Sequence, residues 1–157
     1  MIVRRATECE LPELLKIEED CFGVEKFSPE TVRAFASRSD AFVLLAIEGD
    51  EKLGSAMCII SEEANEGKIA SIAVLRRHRG RGLGALLLEA CEKEFRDRHL
   101  RRYSLEVETE NAPAISLYLS RGYEAKGIIK DFYSVGRDAY CMEKKVGLDG
   151  RVRVTPS

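Results

Sequence analysis

Apolar positions recur along this chain with two different periods, and the switches between them mark out the elements. Ile2 to Arg5 reads as a short strand. Leu11, Leu14 and Leu15 then line one side of a helix whose other side carries Glu18-Glu19, and the pattern continues to Phe22. Proline is tolerated in a first helical turn and not deeper, so Pro12 sets the start near Leu11. Ser28-Pro29-Glu30 has the residue types of a cap and first turn, which predicts a second helix through Phe35. Ala41 to Ile47 is continuously apolar, as in a buried strand. Gly49-Asp50-Glu51-Lys52 turns the chain into Leu53 to Ile60, completing an antiparallel hairpin.

Lys68 to Leu75 is a further strand, followed by an Arg/Gly segment. Leu83, Leu86, Leu87, Ala90, Cys91 and Phe95 then recur at helical spacing with charge on the opposite face. From Tyr103 to Thr109 the period becomes two: Tyr103, Leu105 and Val107 share one face, Ser104, Glu106 and Glu108 the other. Asn111 to Arg121 predicts a short helix, with Pro113 in its first turn and Gly122 beyond its end. Ala125 to Phe132 and Ala139 to Lys145 predict two last strands joined through Gly136. The order β-α-α-β-β-β-α-β-α-β-β predicts an α/β fold on a mixed sheet.

Composition narrows the picture. The chain has 157 residues, 45% hydrophobic and 33% charged, which suits a single globular domain over residues 1–146 with a polar, frayed tail over 147–157. A net charge of −2 gives no overall attraction to nucleic acid or anionic membrane. Met1-Ile2-Val3-Arg4-Arg5 lacks the apolar core of a signal peptide, and no apolar run approaches the roughly 20 residues that span a bilayer. A cytoplasmic protein is expected. Five widely spaced cysteines without a Cys-x-x-Cys pair, and only two histidines, suggest neither a disulfide framework nor a metal centre.

The most informative segment is Arg79-Gly80-Arg81-Gly82-Leu83-Gly84-Ala85, between a strand and a helix. Glycines at a helix start admit a ligand close to the backbone, whose unpaired N–H groups suit an anion. Arg76, Arg77, Arg79 and Arg81 add positive charge, so a phosphorylated cofactor is expected. The glycine spacing is neither Gly-x-Gly-x-x-Gly nor a P-loop. No aromatic residues interleave the arginines, which disfavours direct nucleic-acid binding. By itself the turn also fits a basic, solvated loop.

Ser71-Ile72-Ala73-Val74 followed by Arg79 to Leu87 resembles the acetyl-CoA motif of GNAT-type N-acetyltransferases, Arg/Gln-x-x-Gly-x-Gly/Ala. More closely, the chain is similar to the RimI group of ribosomal-protein and protein N-terminal acetyltransferases, most clearly from Ile69 to Met142. The resemblance implies the GNAT fold, a mostly antiparallel, splayed sheet flanked by helices, with acetyl-CoA as cosubstrate and no metal. It implies pantetheine contacts from the backbone of Ile72, Ala73 and Val74. Pyrophosphate binding falls to Arg79, Gly80, Arg81, Gly82, Leu83, Gly84 and Ala85.

Acetyl transfer needs a neutral amine and a proton for the departing thiolate. An α-amino group titrates at ~7.7–8.0 and a lysine at ~10.4, so the first asks less of a base. The resembling group carries a general base at the place of Glu106. A glutamate at ~4.3 would work through water or with a raised pKa. Asn111-Ala112-Pro113-Ala114-Ile115-Ser116-Leu117-Tyr118 matches the family's Asn-x-x-Ala-x-x-x-Tyr helix, which makes Tyr118 the general acid and Asn111 a CoA contact. Taken alone, Glu106 reads as a solvated strand face and Tyr118 as core. Glu106, Glu108 and Glu110 form an acidic row that would favour a cationic amine.

The resemblance also implies a protein or peptide N-terminus as acceptor, such as a ribosomal protein or nascent chain, for a monomer or homodimer. Its acceptor elements correspond to Phe22–Glu30 and Lys130–Ala139, which nominates Phe27, Glu30, Tyr133 and Asp138. Phe132 stands where tyrosine is common in that group. Acetylation of lysine side chains or small amines, and a non-catalytic CoA-binding regulatory module, are the alternatives.

Overall fold

The computed structural model describes residues 1–147, so all but the first residue of the expected tail lies outside the described residues. In chain order the elements are β1 (Ile2–Arg5), α1 (Leu11–Phe22), α2 (Pro29–Ser37), β2 (Ala41–Glu48), β3 (Glu51–Ser61) and β4 (Glu66–Val74). They continue with α3 (Leu83–Asp97), β5 (Arg102–Glu108), α4 (Ala112–Ser120), β6 (Glu124–Ser134) and β7 (Arg137–Lys145). This is the expected order, with no boundary moved by more than two residues. Single 3-10 turns at Glu8–Glu10, Gly23–Glu25 and Arg76–His78 are additions. Three residues are too few to show a period in sequence. The strands form a seven-stranded sheet in the order β1-β2-β3-β4-β5-β7-β6. The pairings β1–β2, β2–β3, β5–β7 and β6–β7 are antiparallel, as the fold-class expectation required.

By their internal contacts the described residues make two compact units, residues 1–60 with 69–94, and residues 61–68 with 95–147. In the first, β2 is buried at every position from Ala41 to Ile47, which explains its unbroken apolar run. Leu14 and Ile17 of α1, and Val32 and Phe35 of α2, join Val43 and Leu45 of β2 in one core cluster. Each such side chain contributes about 1.5–3 kcal/mol relative to exposure. The entry to α1 is fixed electrostatically. Arg4 donates to both oxygens of Glu10 at 2.8 and 2.7 Å, which holds that carboxyl down at about 2.

Two positions in this unit are decided by close contact. Gly54 on β3 sits so near β4 that a Cβ there would lie 2.6 Å from the Ala73 carbonyl oxygen. The other is Glu18, which the helical pattern places with Glu19 on a charged side. Instead it is buried, at 1% exposure. Its Oε1 accepts the Phe27 N–H at 2.9 Å, so the carboxylate ties α1 to the loop entering α2. Burial raises its pKa, opposed by the Phe27 hydrogen bond, and Oε2 is buried without a hydrogen-bond partner among the described residues. Helical periodicity distinguishes polar from apolar and cannot see that a loop amide needs an acceptor.

In the second unit the alternation of β5 is reproduced: Tyr103, Leu105 and Val107 are buried and Ser104, Glu106 and Glu108 half-buried. Phe95 packs its ring against Tyr103 at 5.1 Å between centroids. β7 lies between β5 and β6, and β6 is exposed along its length except at Tyr133. The cysteines are free thiols: Cys58 and Cys91 are buried, Cys21 and Cys141 half-buried, and Cys9 exposed.

Gly54→Ala is expected to destabilise the chain by about 1–3 kcal/mol, the usual cost of overpacking, read as a lower denaturant midpoint. For Glu18 the sign follows from its raised pKa. The native state binds the extra proton, so stability falls as pH rises from the ordinary value of 4.5 up through the folded one. Glu18→Gln keeps an acceptor for Phe27 and removes the charge. It is therefore expected to raise Tm at pH 8 and to change it less at pH 4.5, by thermal melts at both.

Candidate active site

The first unit carries the nominated cofactor residues. β4 ends at Val74, where Ala73 is buried and Ile72 and Val74 are half-buried. The Val74 carbonyl accepts the Arg79 Nε–H at 3.0 Å and the Cys21 thiol at 3.3 Å, which fixes the strand end. Burial, ahead of the opposing contact with Arg79, pushes the Cys21 thiol up, so it serves as a weak donor here and not as a nucleophile. Beyond the 3-10 turn, Gly80 and Gly82 both adopt φ of +80°, and no atom lies within 4 Å of where a Cβ would stand. Both are thus free for close approach and conformationally suited to glycine. The Leu86 N–H bonds the Gly82 carbonyl at 3.1 Å, and α3 begins at Leu83. The amides of its first turn, Leu83, Gly84 and Ala85 among them, precede the regular helical ladder, and a helix start of this kind suits an anion.

The arginines are employed differently from the expectation of free positive charge. Arg76 donates from its backbone to Asp20 Oδ2 at 2.9 Å and from Nε to the Asp20 carbonyl at 3.1 Å. Arg77 reaches Glu51 at 2.5 Å, and Arg81 reaches Glu48 at 3.0 Å. His78 sits between them, 2.8 Å from Glu51 and 3.0 Å from Arg81. His78 first, and Arg77 with it, hold the Glu51 carboxyl below its ordinary range. The side chains therefore brace the turn against β2, β3 and α1, and what the turn offers an anion is chiefly backbone N–H.

The second unit carries the nominated acid and base. Glu106 is 17% exposed on β5, and its Oε1 accepts from Lys68 Nζ at 2.5 Å. Lys68 comes from the first residues of β4. Two residues to either side, Ser104 donates to Glu66 and Glu108 is gripped by Arg137 through two bonds of 3.0 and 2.6 Å. Arg137 holds the Glu108 carboxyl below its usual range. The acidic row read from the sequence is thus largely neutralised, because half-buried carboxylates on a strand recruit partners from the neighbouring strands.

Tyr118 is 9% exposed and packs edge-on against Tyr123, with 5.8 Å between centroids. Asn111 caps α4, its Oδ1 accepting the Ala114 N–H at 3.3 Å. Its side-chain oxygen already has this local task, while the residue itself is exposed.

The nominated acceptor residues divide. Phe27 stacks on Phe35 at 5.7 Å and belongs with the core, whereas Glu30 is exposed in the first turn of α2. At the tip of the β6–β7 hairpin, Asp138 accepts the Asp131 N–H at 2.9 Å, and Asp131 accepts the Gly136 N–H at 2.7 Å. Asp131 itself has φ of +53°. Asp138 therefore shapes the tip. Tyr133 is half-buried, with Arg137 5.6 Å above its ring and Phe132, 44% exposed, edge-on at 4.9 Å. Phe132 is not core. Lys68, Arg137 and Glu18 are the residues that sequence reasoning missed. Lys68 had a faint signal as the one basic residue of a strand that is small and apolar from Ile69 on, apart from Ser71.

The sequence model of the Acetyltransferase (GNAT) family matches residues 11–123. An N-alpha-acetyltransferase of Sulfurisphaera tokodaii is 37% identical over 78 residues, covering 49% of this chain and 47% of that protein. A putative [ribosomal protein bS18]-alanine N-acetyltransferase of Bacillus subtilis is 35% identical over 99 residues, 62% of this chain and 65% of that one. The chain spans about half the length of the first of these curated relatives. The crystal structure of the ribosomal-protein-S18-alanine N-acetyltransferase from Escherichia coli superposes with a TM-score of 0.83 over 99% of this chain and 96% of that chain, at 22% identity. At that identity the likeness is one of fold. With most of its length inside the family match, the chain belongs to the GNAT acetyltransferase family.

Proposed function

We propose that the protein is an acetyl-CoA-dependent N-acetyltransferase acting in the cytoplasm on the α-amino group of protein N-termini. The observation that carries this reading is the turn at Gly80–Gly82. Its two left-handed glycines stand open before a helix whose first amides suit a pyrophosphate. Acceptor class is supported by the relatives whose names specify N-alpha or ribosomal-protein acetylation. It is supported too by the pairing of Glu106 and Glu108 with Lys68 and Arg137, which removes the net negative charge that would attract a polyamine.

The donor residues fit the cosubstrate. The amides from Gly80 to Ala85, with Arg79 and Arg81 bracing the turn, would hold the diphosphate, and Asn111 would add a contact to the same molecule. The backbone of Ile72, Ala73 and Val74 would pair with the amide-bearing arm as another strand would. When bound, acetyl-CoA supplies an acyl thioester with a thiolate leaving group. Glu106 accepts the proton released as the acceptor nitrogen bonds the acetyl carbon, directly or through one water. The Val74 N–H donates to the carbonyl oxygen as negative charge builds there. Tyr118 gives its phenolic proton to the departing sulfur, and after release Glu106 returns its proton to solvent as Tyr118 regains one from it. Glu30 and Tyr133 would contact the acceptor peptide, with Phe27 and Asp138 supporting the two segments that carry them.

Purified protein, acetyl-CoA and peptides of varied first residue are expected to give a 42 Da gain on the N-terminus by mass spectrometry, a mass set by acetyl replacing hydrogen and roughly independent of sequence. A peptide with a blocked N-terminus and an internal lysine, and spermidine, serve as comparisons. Acetylation of those alone would sink the acceptor assignment. Glu106→Gln and Tyr118→Phe should each lower kcat about 100-fold while leaving acetyl-CoA affinity near that of the wild type. Unchanged rates in both would remove them from the chemistry.

A further inference from the structure

We propose that Lys68 is a positioning residue for the acceptor reaction: it fixes the Glu106 carboxylate by one oxygen and disfavours the ammonium form of the incoming amine. The inference rests on the base role proposed for Glu106. Its ground is geometric. Lys68 Nζ lies 2.5 Å from Glu106 Oε1, while Glu106 Oε2 makes no hydrogen bond among the described residues. One oxygen is thereby held and the other left to accept a proton. Lys68 is 40% exposed and Glu106 17%, so the pair is screened only in part from water.

The charge consequence follows from distance. An amine held on Oε2 at hydrogen-bond length would stand within about 6 Å of Nζ, the range over which a like charge shifts a pKa. A bare glutamate would do the reverse, stabilising an ammonium ion and keeping its nitrogen lone pair unavailable. The other groups facing Glu106 do not supply this charge. On β5, Ser104 is bound to Glu66 and Glu108 has its own cation in Arg137. On β7, Cys141 stands opposite Glu106 and Glu143 opposite Ser104. Lys68 is the cation placed on the base itself. It thus favours the neutral nucleophile, and favours acceptors whose amines lose a proton near neutral pH.

The test measures kcat against pH for the wild type, Lys68→Met and Lys68→Arg, using acetyl-CoA and whichever amine the wild type acetylates. The rising limb reports the amine in the bound complex. Its midpoint is expected to move up by about one pH unit in Lys68→Met and to stay in place in Lys68→Arg. In parallel, a peptide with a trimethylated N-terminus, permanently cationic and unable to react, is titrated onto each CoA-loaded protein. It should bind Lys68→Met about tenfold more tightly than wild type, the same proton-equivalent factor. An unmoved midpoint, an equal shift in Lys68→Arg, or equal binding of the quaternary peptide overturns the role. Binding decides the matter if Lys68→Met turns over too slowly to profile. Lys68→Gln takes its place if the Met variant fails to melt cooperatively with CoA. A wild-type protein that acetylates lysine and not N-termini refutes the acceptor assignment alone and leaves this test standing.

Discussion

A carboxylate half-withdrawn from water on a β-strand needs a partner, because the strand's own backbone groups are committed to its neighbours. β5 carries two of them, Glu106 and Glu108, on the face opposite Tyr103, Leu105 and Val107. Burying those three apolar side chains forces the glutamates to the other side, since alternate residues have no third direction. Partners then come from both flanks in sequence: Lys68 from the start of β4 meets Glu106, and Arg137 from β7 meets Glu108. The second unit is organised around this requirement. Arg137, in meeting Glu108, also lies over Tyr133 and so couples β5 to the hairpin tip.

The first unit shows the same economy of charge at its turn. Four arginines close to a phosphate-type turn would repel one another as readily as they attract a ligand. Here the Glu51 and Glu48 carboxylates take up Arg77 and Arg81, while backbone carbonyls of Asp20 and Val74 take Arg76 and Arg79. The result is a turn tied by its own side chains to β2, β3 and α1, leaving its backbone amides as the groups offered to the proposed cosubstrate. Glu18 stiffens a second loop by accepting the Phe27 amide, at the cost of burying a carboxylate. In both units, charged side chains serve to set backbone geometry more than to present charge.

In the proposed mechanism these arrangements bear on chemistry through precision. Proton transfer by a side chain depends on reach of a few tenths of an ångström, and a carboxylate held by one oxygen has a defined second oxygen to offer. Tyr118 packs against Tyr123 on a helix capped by Asn111. The edge strand β6 is the contrast: exposed at every position but Tyr133, it pairs with β7 and is joined to it by the Asp131–Asp138 contact at the tip.

The order of elements, the alternation of β5, the glycine turn and the Asn111–Tyr118 helix were all legible in sequence. Each is a local pattern: a period, a cap, or a run within about ten residues. What was not legible was how the charges are used. Glu106 and Lys68 are 38 residues apart, Arg76 and Asp20 are 56, and Arg137 and Glu108 are 29. Nothing in a one-dimensional pattern distinguishes a glutamate that will meet a lysine from one that will meet water. The sequence alone determined which elements form and which residue types stand at the turn, because backbone preference and burial period act over a few residues. Only the tertiary structure decided that Glu18 is buried, that Glu106 carries a lysine and that the arginines brace their own loop, because those outcomes depend on which distant strands and loops arrive within a hydrogen bond.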